Sequence, residues 1–471
     1  MADGPPMQRL SKFNFLVPVE GGSESWLIYN ALTDLGILVD ASTARSVSSV
    51  LTRIPGRKPI WRYAKNTGAE ARLDRFVETV PAAVAVELKK LAFLVEPSKE
   101  KLCLENMVGS FLRPSCLKVT IAYSARCQMA CQYCFQSGRD NSSRHDLGLV
   151  ERTIAWSEKY IMDHGMKAVH LGLFGGEPLL DYKLGLAYAR EFKQLCDRLS
   201  IPLEISLTTN GLNLSSKILH ELRSCGLTYV RVTLDGPPAV HDLRRPTLKG
   251  SGTFNRIFTN LEMAASLDGF GIGVAVNVDE TTVNSIDALL DILQAAGLND
   301  DVEMILEPVL PKMSDYAVGT YRPEKMLKNI AKVFLRVVDR EFATPLLPGL
   351  CGSCNATQEN SFVIDWNGDL FRCSFTMLEQ SLSCGSISAD LKNGELAAAC
   401  DAQKTFARAV DVLNVCQEKQ CPYLPLCAGG CRYQAWLKKG DWSAPSCPVR
   451  LFDKVAADAF AHSFGLKTRR H

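Results

Sequence analysis

The chain has no charge excess: 53 Lys and Arg stand against 51 Asp and Glu, a net charge of +2 over 471 residues. Composition therefore offers no basic surface for nucleic acid. No apolar run approaches the ~20 residues of a membrane span. The start, Met1-Ala2-Asp3-Gly4-Pro5-Pro6, lacks the charged segment and apolar core of a secretory signal. These absences predict a soluble, cytoplasmic protein with no nucleic-acid and no membrane partner. Without a secretory route, disulfides are not the expected use of cysteine. Yet there are 17 cysteines, and metal ligation is the better account of that number.

Their distribution agrees. Three fall at Cys127, Cys131 and Cys134, a C-x3-C-x2-C spacing, and eight more crowd into the last third of the chain. The other six (Cys103, Cys116, Cys196, Cys225, Cys384, Cys400) are scattered and read as ordinary thiols. The first three follow an apolar, β-branched run, Leu117–Ala122, which reads as a buried strand. The cysteines then lie on the loop after its C-terminal end. Three thiolates this close can grip three irons of a cubane cluster and leave the fourth iron open. An open position is what a catalytic metal needs, whereas a structural site is closed. A zinc knuckle or a loop of free cysteines is the alternative for the triad taken alone.

With 471 residues and 46% apolar content, two or three domains with large cores are expected. Before the triad, 13–17, 26–29 and 37–39 look like short strands, and 41–51 and 81–94 look helical. From 117 to about 311 the pattern alternates. Strands are expected at 117–122, 168–174, 203–208, 229–234, 272–278 and 302–309. Helices are expected at 149–163, 182–199, 215–224, 253–267 and 283–296. Alternation of this kind implies parallel pairing, and sites in such sheets lie at the C-terminal strand ends. The expected fold is α/β, a partial (β/α)6 TIM-type barrel with a small N-terminal α+β module and a C-terminal cysteine-rich domain. The expected boundaries are 1–110 for the N-terminal region, 111–320 for the barrel, 321–348 for a connector, 349–455 for the cysteine-rich domain and 456–471 for a tail.

The strand ends carry the informative residues. Phe174-Gly175-Gly176-Glu177-Pro178 follows the second strand, about 40 residues after the triad. Thr208-Thr209-Asn210-Gly211 follows the third; alone it is a helix cap and turn. Thr233-Leu234-Asp235-Gly236-Pro237 and His241-Asp242-Leu243-Arg244-Arg245-Pro246 follow the fourth. Together with the triad and Tyr133 just before its third cysteine, these motifs resemble the radical S-adenosylmethionine (SAM) enzymes. Further on come Cys351-Gly352-Ser353-Cys354 and a hairpin signal at Asn367-Gly368. Cys354-x13-Gly368-x4-Cys373 and Cys416-x4-Cys421-x5-Cys427-x3-Cys431 … Cys447 complete the set. They resemble the SPASM domain of ribosomal-peptide and anaerobic sulfatase maturases. One departure is plain: the spacing of Cys416 to Cys421 is C-x4-C where that domain has C-x2-C.

The resemblance implies three [4Fe–4S] clusters and SAM. Cys127, Cys131 and Cys134 would hold the cluster that binds SAM. Cys351, Cys354, Cys373 and Cys431 would hold one auxiliary cluster, and Cys416, Cys421, Cys427 and Cys447 the other. All-thiolate ligation closes both auxiliary sites and suits electron transfer; two zinc sites are the alternative use of the same eight thiolates. Tyr133, Gly175, Gly176, Glu177, Asn210, Thr233 and Arg245 would contact SAM or shape its site. Thr233 would bond the ribose, and Arg245, with Arg244 as the neighbouring choice, would face the SAM carboxylate. Gly176 would lie against SAM, so that Gly176→Val stops cleavage with iron content near normal. No side chain is assigned a catalytic role beyond the cluster ligands.

The implied activity is reductive cleavage of SAM to a 5′-deoxyadenosyl radical, followed by oxidative thioether or carbon–carbon crosslinking of a ribosomally made peptide. An electron donor such as flavodoxin or ferredoxin would be needed. The alternative is a sulfatase maturase that converts Cys or Ser to formylglycine. The resemblance gives that enzyme an Asp base immediately after the cysteine that follows the Gly-x4 segment, a position held here by Ser374. The N-terminal region would be a winged-helix-like module that takes a leader peptide as an added strand; simple packing on the barrel is the other possibility. A non-catalytic iron–sulfur or zinc scaffold is the remaining alternative.

The eleven cysteines predict about twelve irons per chain after anaerobic reconstitution, four per cubane. Replacing Cys127, Cys131 and Cys134 together by Ala should remove about a third of that iron by metal analysis. A protein holding zinc and a single cluster contradicts the assignment.

Overall fold

The computed structural model describes residues 8–21, 25–55, 58–66, 68–138, 147–310, 323–345, 354–393 and 402–469. Cys351 and Cys400 lie outside these. The N-terminal region forms β1 (Asn14–Pro18), β2 (Trp26–Asn30), β3 (Leu35–Val39), α1 (Ala41–Val50), β4 (Thr52–Ile54), β5 (Ile60–Arg62), α2 (Ala69–Asp74), α3 (Ala82–Lys90) and α4 (Pro97–Leu112). These strands make one antiparallel sheet in the order β3-β2-β1-β5-β4, and Arg9–Leu10 pairs separately with Leu94–Val95. Asp40 starts α1 by accepting the Thr43 N–H at 2.8 Å, an ordinary N-cap.

The barrel follows as β6 (Cys116–Ala122), α5 (Leu147–His164), β7 (Ala168–Phe174), α6 (Tyr182–Leu199), β8 (Leu203–Thr209), α7 (Ser216–Arg223), β9 (Leu227–Thr233), α8 (Pro238–Arg244), α9 (Phe254–Ala265), β10 (Gly271–Val278), α10 (Glu280–Ala295) and β11 (Val302–Pro308). The six strands pair in sequence order and in parallel. Alternate residues (Leu117, Val119 and Ile121 on β6; Val169, Leu171 and Leu173 on β7) are fully buried in one continuous core. Their neighbours Lys118, Thr120 and His170 are less buried, which is the period-two signature of a strand with two unlike faces.

After α11 (Pro323–Asp339) come β12 (Ser361–Ile364), β13 (Leu370–Phe371), α12 (Ile387–Asn393), α13 (Ala402–Glu418), α14 (Leu424–Cys427), α15 (Arg432–Lys439) and α16 (Val449–Ser463). The hairpin expected at Asn367-Gly368 forms, with Gly368 at φ +86. It also docks on the barrel: β12 runs parallel to β6, from Ser361 opposite Lys118 to Ile364 opposite Ile121. The sheet therefore has eight strands, two more than the barrel repeat alone provides.

The expected boundary at 455 falls inside α16, whose Leu451, Phe452, Val455 and Phe460 are buried. Residues 456–463 are thus core helix rather than tail. The N-terminal sheet packs on this helix. Phe460 stacks on Tyr29 with ring centroids 4.3 Å apart and meets Phe15 at 5.0 Å. Arg62 grips Asp453 through two N–H donors at 2.7 and 2.9 Å, and Lys58 pairs with the buried Asp458 at 2.6 Å. These contacts join the N-terminal module to the rest of the core instead of leaving it a separate body.

Candidate active site

The loop after β6 carries the cysteine triad, and three neighbours hold it. Ser124 Oγ and Arg126 Nη1 donate to the two oxygens of Asp181 at 2.6 and 2.9 Å. Gly176 N–H donates to the Ser124 carbonyl at 2.8 Å, and Glu177 N–H to the Arg126 carbonyl at 2.7 Å. On the far side, Ala130 N–H reaches the Pro246 carbonyl and Gln132 N–H the Arg244 carbonyl, at 2.8 and 3.1 Å. The thiols of Cys127, Cys131 and Cys134 border one cavity of about 240 Å³ at the C-terminal strand ends. Burial pushes the Cys131 thiol up to about 12; Arg245 works against this, and the neighbouring Cys134 and Cys127 add to it. Among the described residues, no group of three or more His, Cys, Asp or Glu converges closely enough to hold a single metal ion.

All seven residues expected at the SAM site border this cavity: Tyr133, Gly175, Gly176, Glu177, Asn210, Thr233 and Arg245. Their roles differ. Glu177 is fully buried. It accepts from Leu179 N–H and Thr209 Oγ1 on one oxygen (2.9 and 2.6 Å) and from Asn210 N–H on the other (2.7 Å). Asn210 closes its own turn by accepting from Leu212 N–H at 2.9 Å, and its amide nitrogen lies 3.9 Å from Cys127 Sγ. The Tyr133 hydroxyl accepts from Arg245 Nη1 at 2.7 Å and Asn277 Nδ2 at 3.0 Å, and donates to Asp235. Burial raises the Tyr133 phenol well above its ordinary value, so it stays protonated.

The adjacent arginines divide. Arg244 pairs with Asp279 at 2.5 Å, donates to the Asn277 carbonyl at 3.0 Å, and lies over the Tyr133 ring at 4.9 Å. Arg245 borders the cavity, and its buried Nε has no hydrogen-bond partner among the described residues. Gly176 also packs on the cysteine loop. A Cβ there would stand 2.5 Å from both the Ala125 and Arg126 carbonyl oxygens. Gly175, at φ +143, would place one 2.4 Å from the Ser124 carbonyl. These glycines are small because the cysteine loop presses on them.

Several lining residues were not expected from the sequence: Asn277, Phe375, and the ion pair of Arg231 with Glu307. Asn277, Arg231 and Glu307 sit at or near strand ends, the one signal that would have singled them out. Phe375 meets Phe135 in a tilted pair with ring centroids 4.5 Å apart, and Ser374 beside it also borders the cavity.

Two sets of neighbours occur among the described auxiliary cysteines. Cys431 and Cys354 influence each other electrostatically, as do Cys421, Cys416 and Cys447. Burial raises the Cys421 thiol to about 11. The C-x4-C departure has a structural answer at the end of α13. Gln420 takes a left-handed conformation at φ +50. Its N–H bonds to the Gln417 carbonyl at 2.8 Å, and Cys421 N–H to the Cys416 carbonyl at 3.1 Å. This is a Schellman ending, and it folds the two extra residues back so that Cys416 and Cys421 stay adjacent. The N-terminal module holds the turn: Tyr63 Oη donates to Gln420 Oε1, and Gln420 Nε2 donates to Glu70, both at 2.8 Å.

Residues 121–274 match the Radical SAM superfamily. The cysteine-type anaerobic sulfatase-maturating enzyme of Clostridium perfringens (strain 13 / Type A) is 24% identical over 332 residues, 66% of this chain and 86% of that protein. The probable GTP 3′,8-cyclase of Methanosarcina acetivorans is 26% identical over 218 residues, 45% of this chain and 61% of that one. The solved structure of native anSMEcpe with bound AdoMet and Kp18Cys peptide superposes with a TM-score of 0.57 at 19% identity, covering 74% of this chain and 97% of that chain. The likeness is one of fold. No described helix is long and apolar enough to cross a membrane.

Because a side chain at 176 would displace the cysteine loop, Gly176→Val should lose about a third of the reconstituted iron, one cubane in three, as well as SAM cleavage. Full iron content in that variant would show that the loop tolerates the displacement.

Proposed function

We propose that this radical SAM enzyme, whose matching domain spans residues 121–274, oxidatively crosslinks a side chain of a ribosomally made peptide. The carrying observation is that one cavity brings together the three thiols of Cys127, Cys131 and Cys134, the glycine turn, an incompletely bonded buried guanidinium and Ser374. The three thiols suit three irons of a [4Fe–4S] cluster. The spare Arg245 donor suits a carboxylate such as that of SAM. When bound, the cluster supplies the electron that splits SAM to methionine and a 5′-deoxyadenosyl radical.

The chain's own residues position and shield. Gly176 and Glu177 brace the cysteine loop. Asn210 stands beside Cys127. Tyr133, held by Asp235 and Asn277, orients Arg245 toward the cavity. Phe135, Phe174 and Phe375 give the cavity an apolar wall that excludes water.

Crosslinking is preferred over formylglycine formation because Ser374 is a poor proton acceptor near neutral pH. The carboxylates that border the cavity are otherwise engaged: Glu177 has three donors and Glu307 is paired with Arg231. An edge strand supports a peptide partner. β3 lies at the margin of the N-terminal sheet with Leu35 and Leu38 exposed, a surface that a leader segment can extend as an added strand. Formylglycine formation is the second reading, favoured by the likeness to the C. perfringens sulfatase-maturating enzyme over 86% of its length.

Mass spectrometry with an aldehyde-reactive hydrazide separates them. A precursor peptide should lose two hydrogens and stay inert to hydrazide. A short leaderless Cys or Ser peptide converted to a hydrazide-reactive aldehyde at a useful rate would overturn the crosslinking reading and establish the second.

A further inference from the structure

Arg432 is among the largest fully buried side chains, 1% exposed. Its guanidinium makes five hydrogen bonds, all to backbone carbonyls. Nε reaches Gly430 at 3.1 Å, Nη1 reaches Trp442 at 3.2 Å and Ala444 at 3.1 Å, and Nη2 reaches Gly430 at 2.9 Å and Gly429. Gly429 and Gly430 both take positive φ, +86 and +77, which turns their carbonyls inward. Carbonyls satisfy the donors but leave the charge uncompensated, and a buried uncompensated cation is costly. Among the described residues Arg432 forms no ion pair with a carboxylate. The backbone that holds the guanidinium lies between the two sets: Gly429 and Gly430 link Cys427 to Cys431, Gly430 N–H bonds to the Cys427 carbonyl at 3.0 Å, and the Cys354, Cys431, Cys427 and Cys416 side chains act on the guanidinium.

Those four thiols come from both auxiliary sets. Cys354 and Cys431 belong to one, Cys427 and Cys416 to the other. An all-thiolate cubane is a net anion, and its potential depends on nearby charge. We propose that Arg432 is the shared counter-cation of the two auxiliary cluster sites and holds their reduction potentials up. This rests on the auxiliary-cluster reading of the eight cysteines. Arg is suited to the position because it cannot lose its proton to the apolar surroundings. Lys438 also acts on Cys431 and Cys447, but it is only half-buried, so water screens it.

The test is an EPR-monitored redox titration of reconstituted protein, with iron analysis, on wild type, Arg432→Gln and Arg432→Lys. Arg432→Gln should lower the midpoint of at least one auxiliary cluster by a factor of ten or more in the reduction equilibrium, about 59 mV for one electron. The SAM-binding cluster serves as internal control and should not move. Arg432→Lys, which keeps the charge, should stay near wild type. Unchanged potentials in an iron-replete Gln variant overturn the proposal. If the Gln variant fails to load, the Lys variant decides: loaded clusters at wild-type potentials support the charge role, whereas shifted potentials, or loss of auxiliary iron in Lys as well, make Arg432 a structural staple only. A wild type holding no auxiliary iron would instead refute the cluster reading itself.

Discussion

One buried carboxylate holds the candidate site together. Glu177 has no exposure, and its two oxygens take donors from its own turn and from the loop after β8, while its N–H grips the cysteine loop after β6. Three strand ends are thus joined at one residue. Burial pushes this carboxyl up, and the donors from Thr209, Asn210 and Leu179 pull it back toward the charged form. Removing the carboxylate would leave each donor short of a partner, at about 1–3 kcal/mol apiece. The glycines before it let the loops approach closely enough for those bonds to form.

The charges around the cavity follow a similar logic. Arg244 and Arg245 are consecutive in sequence, yet α8 ends between them and they turn to different tasks. Arg244 fastens β10 to α8 through Asp279 and the Asn277 carbonyl. Asp279 also caps α10 through Thr282 N–H at 3.1 Å, so one aspartate holds a helix start and a guanidinium together. Arg245, oriented by Tyr133, is left to face the cavity. The N-terminal module braces the turn between Cys416 and Cys421 through Tyr63 and Glu70, and its sheet packs Tyr29 and Phe15 against α16. The module offered for peptide recognition is therefore mechanically continuous with one auxiliary cysteine set.

The barrel was legible because its signals are local. Ala168–Phe174 and Tyr182–Leu199 were read with their observed bounds, since apolar periodicity and turn residues mark both ends. The other barrel elements lie within a few residues of their expected bounds, except α8, which no periodicity signals; all seven expected SAM-site residues line one space because the strand-end rule is a property of parallel sheets. What was not legible depends on contacts distant in sequence. The docking of β12 on β6 pairs segments some 240 residues apart, and neither strand's pattern names its partner. The expected boundary at 455 divides α16 because its buried face is satisfied by Phe15 and Tyr29, which only the fold brings near. The tight packing of Gly176 on the cysteine loop was likewise hidden: a glycine in sequence says that something is close, not what.

SAM cleavage at the cavity lined by Cys127, Cys131 and Cys134 is the most direct test. Anaerobically reconstituted, reduced protein should be incubated with SAM and assayed for 5′-deoxyadenosine by chromatography. 5′-Deoxyadenosine should form in wild type and be absent when Cys127, Cys131 and Cys134 are replaced. Iron-replete, reduced wild type that leaves SAM intact would contradict it.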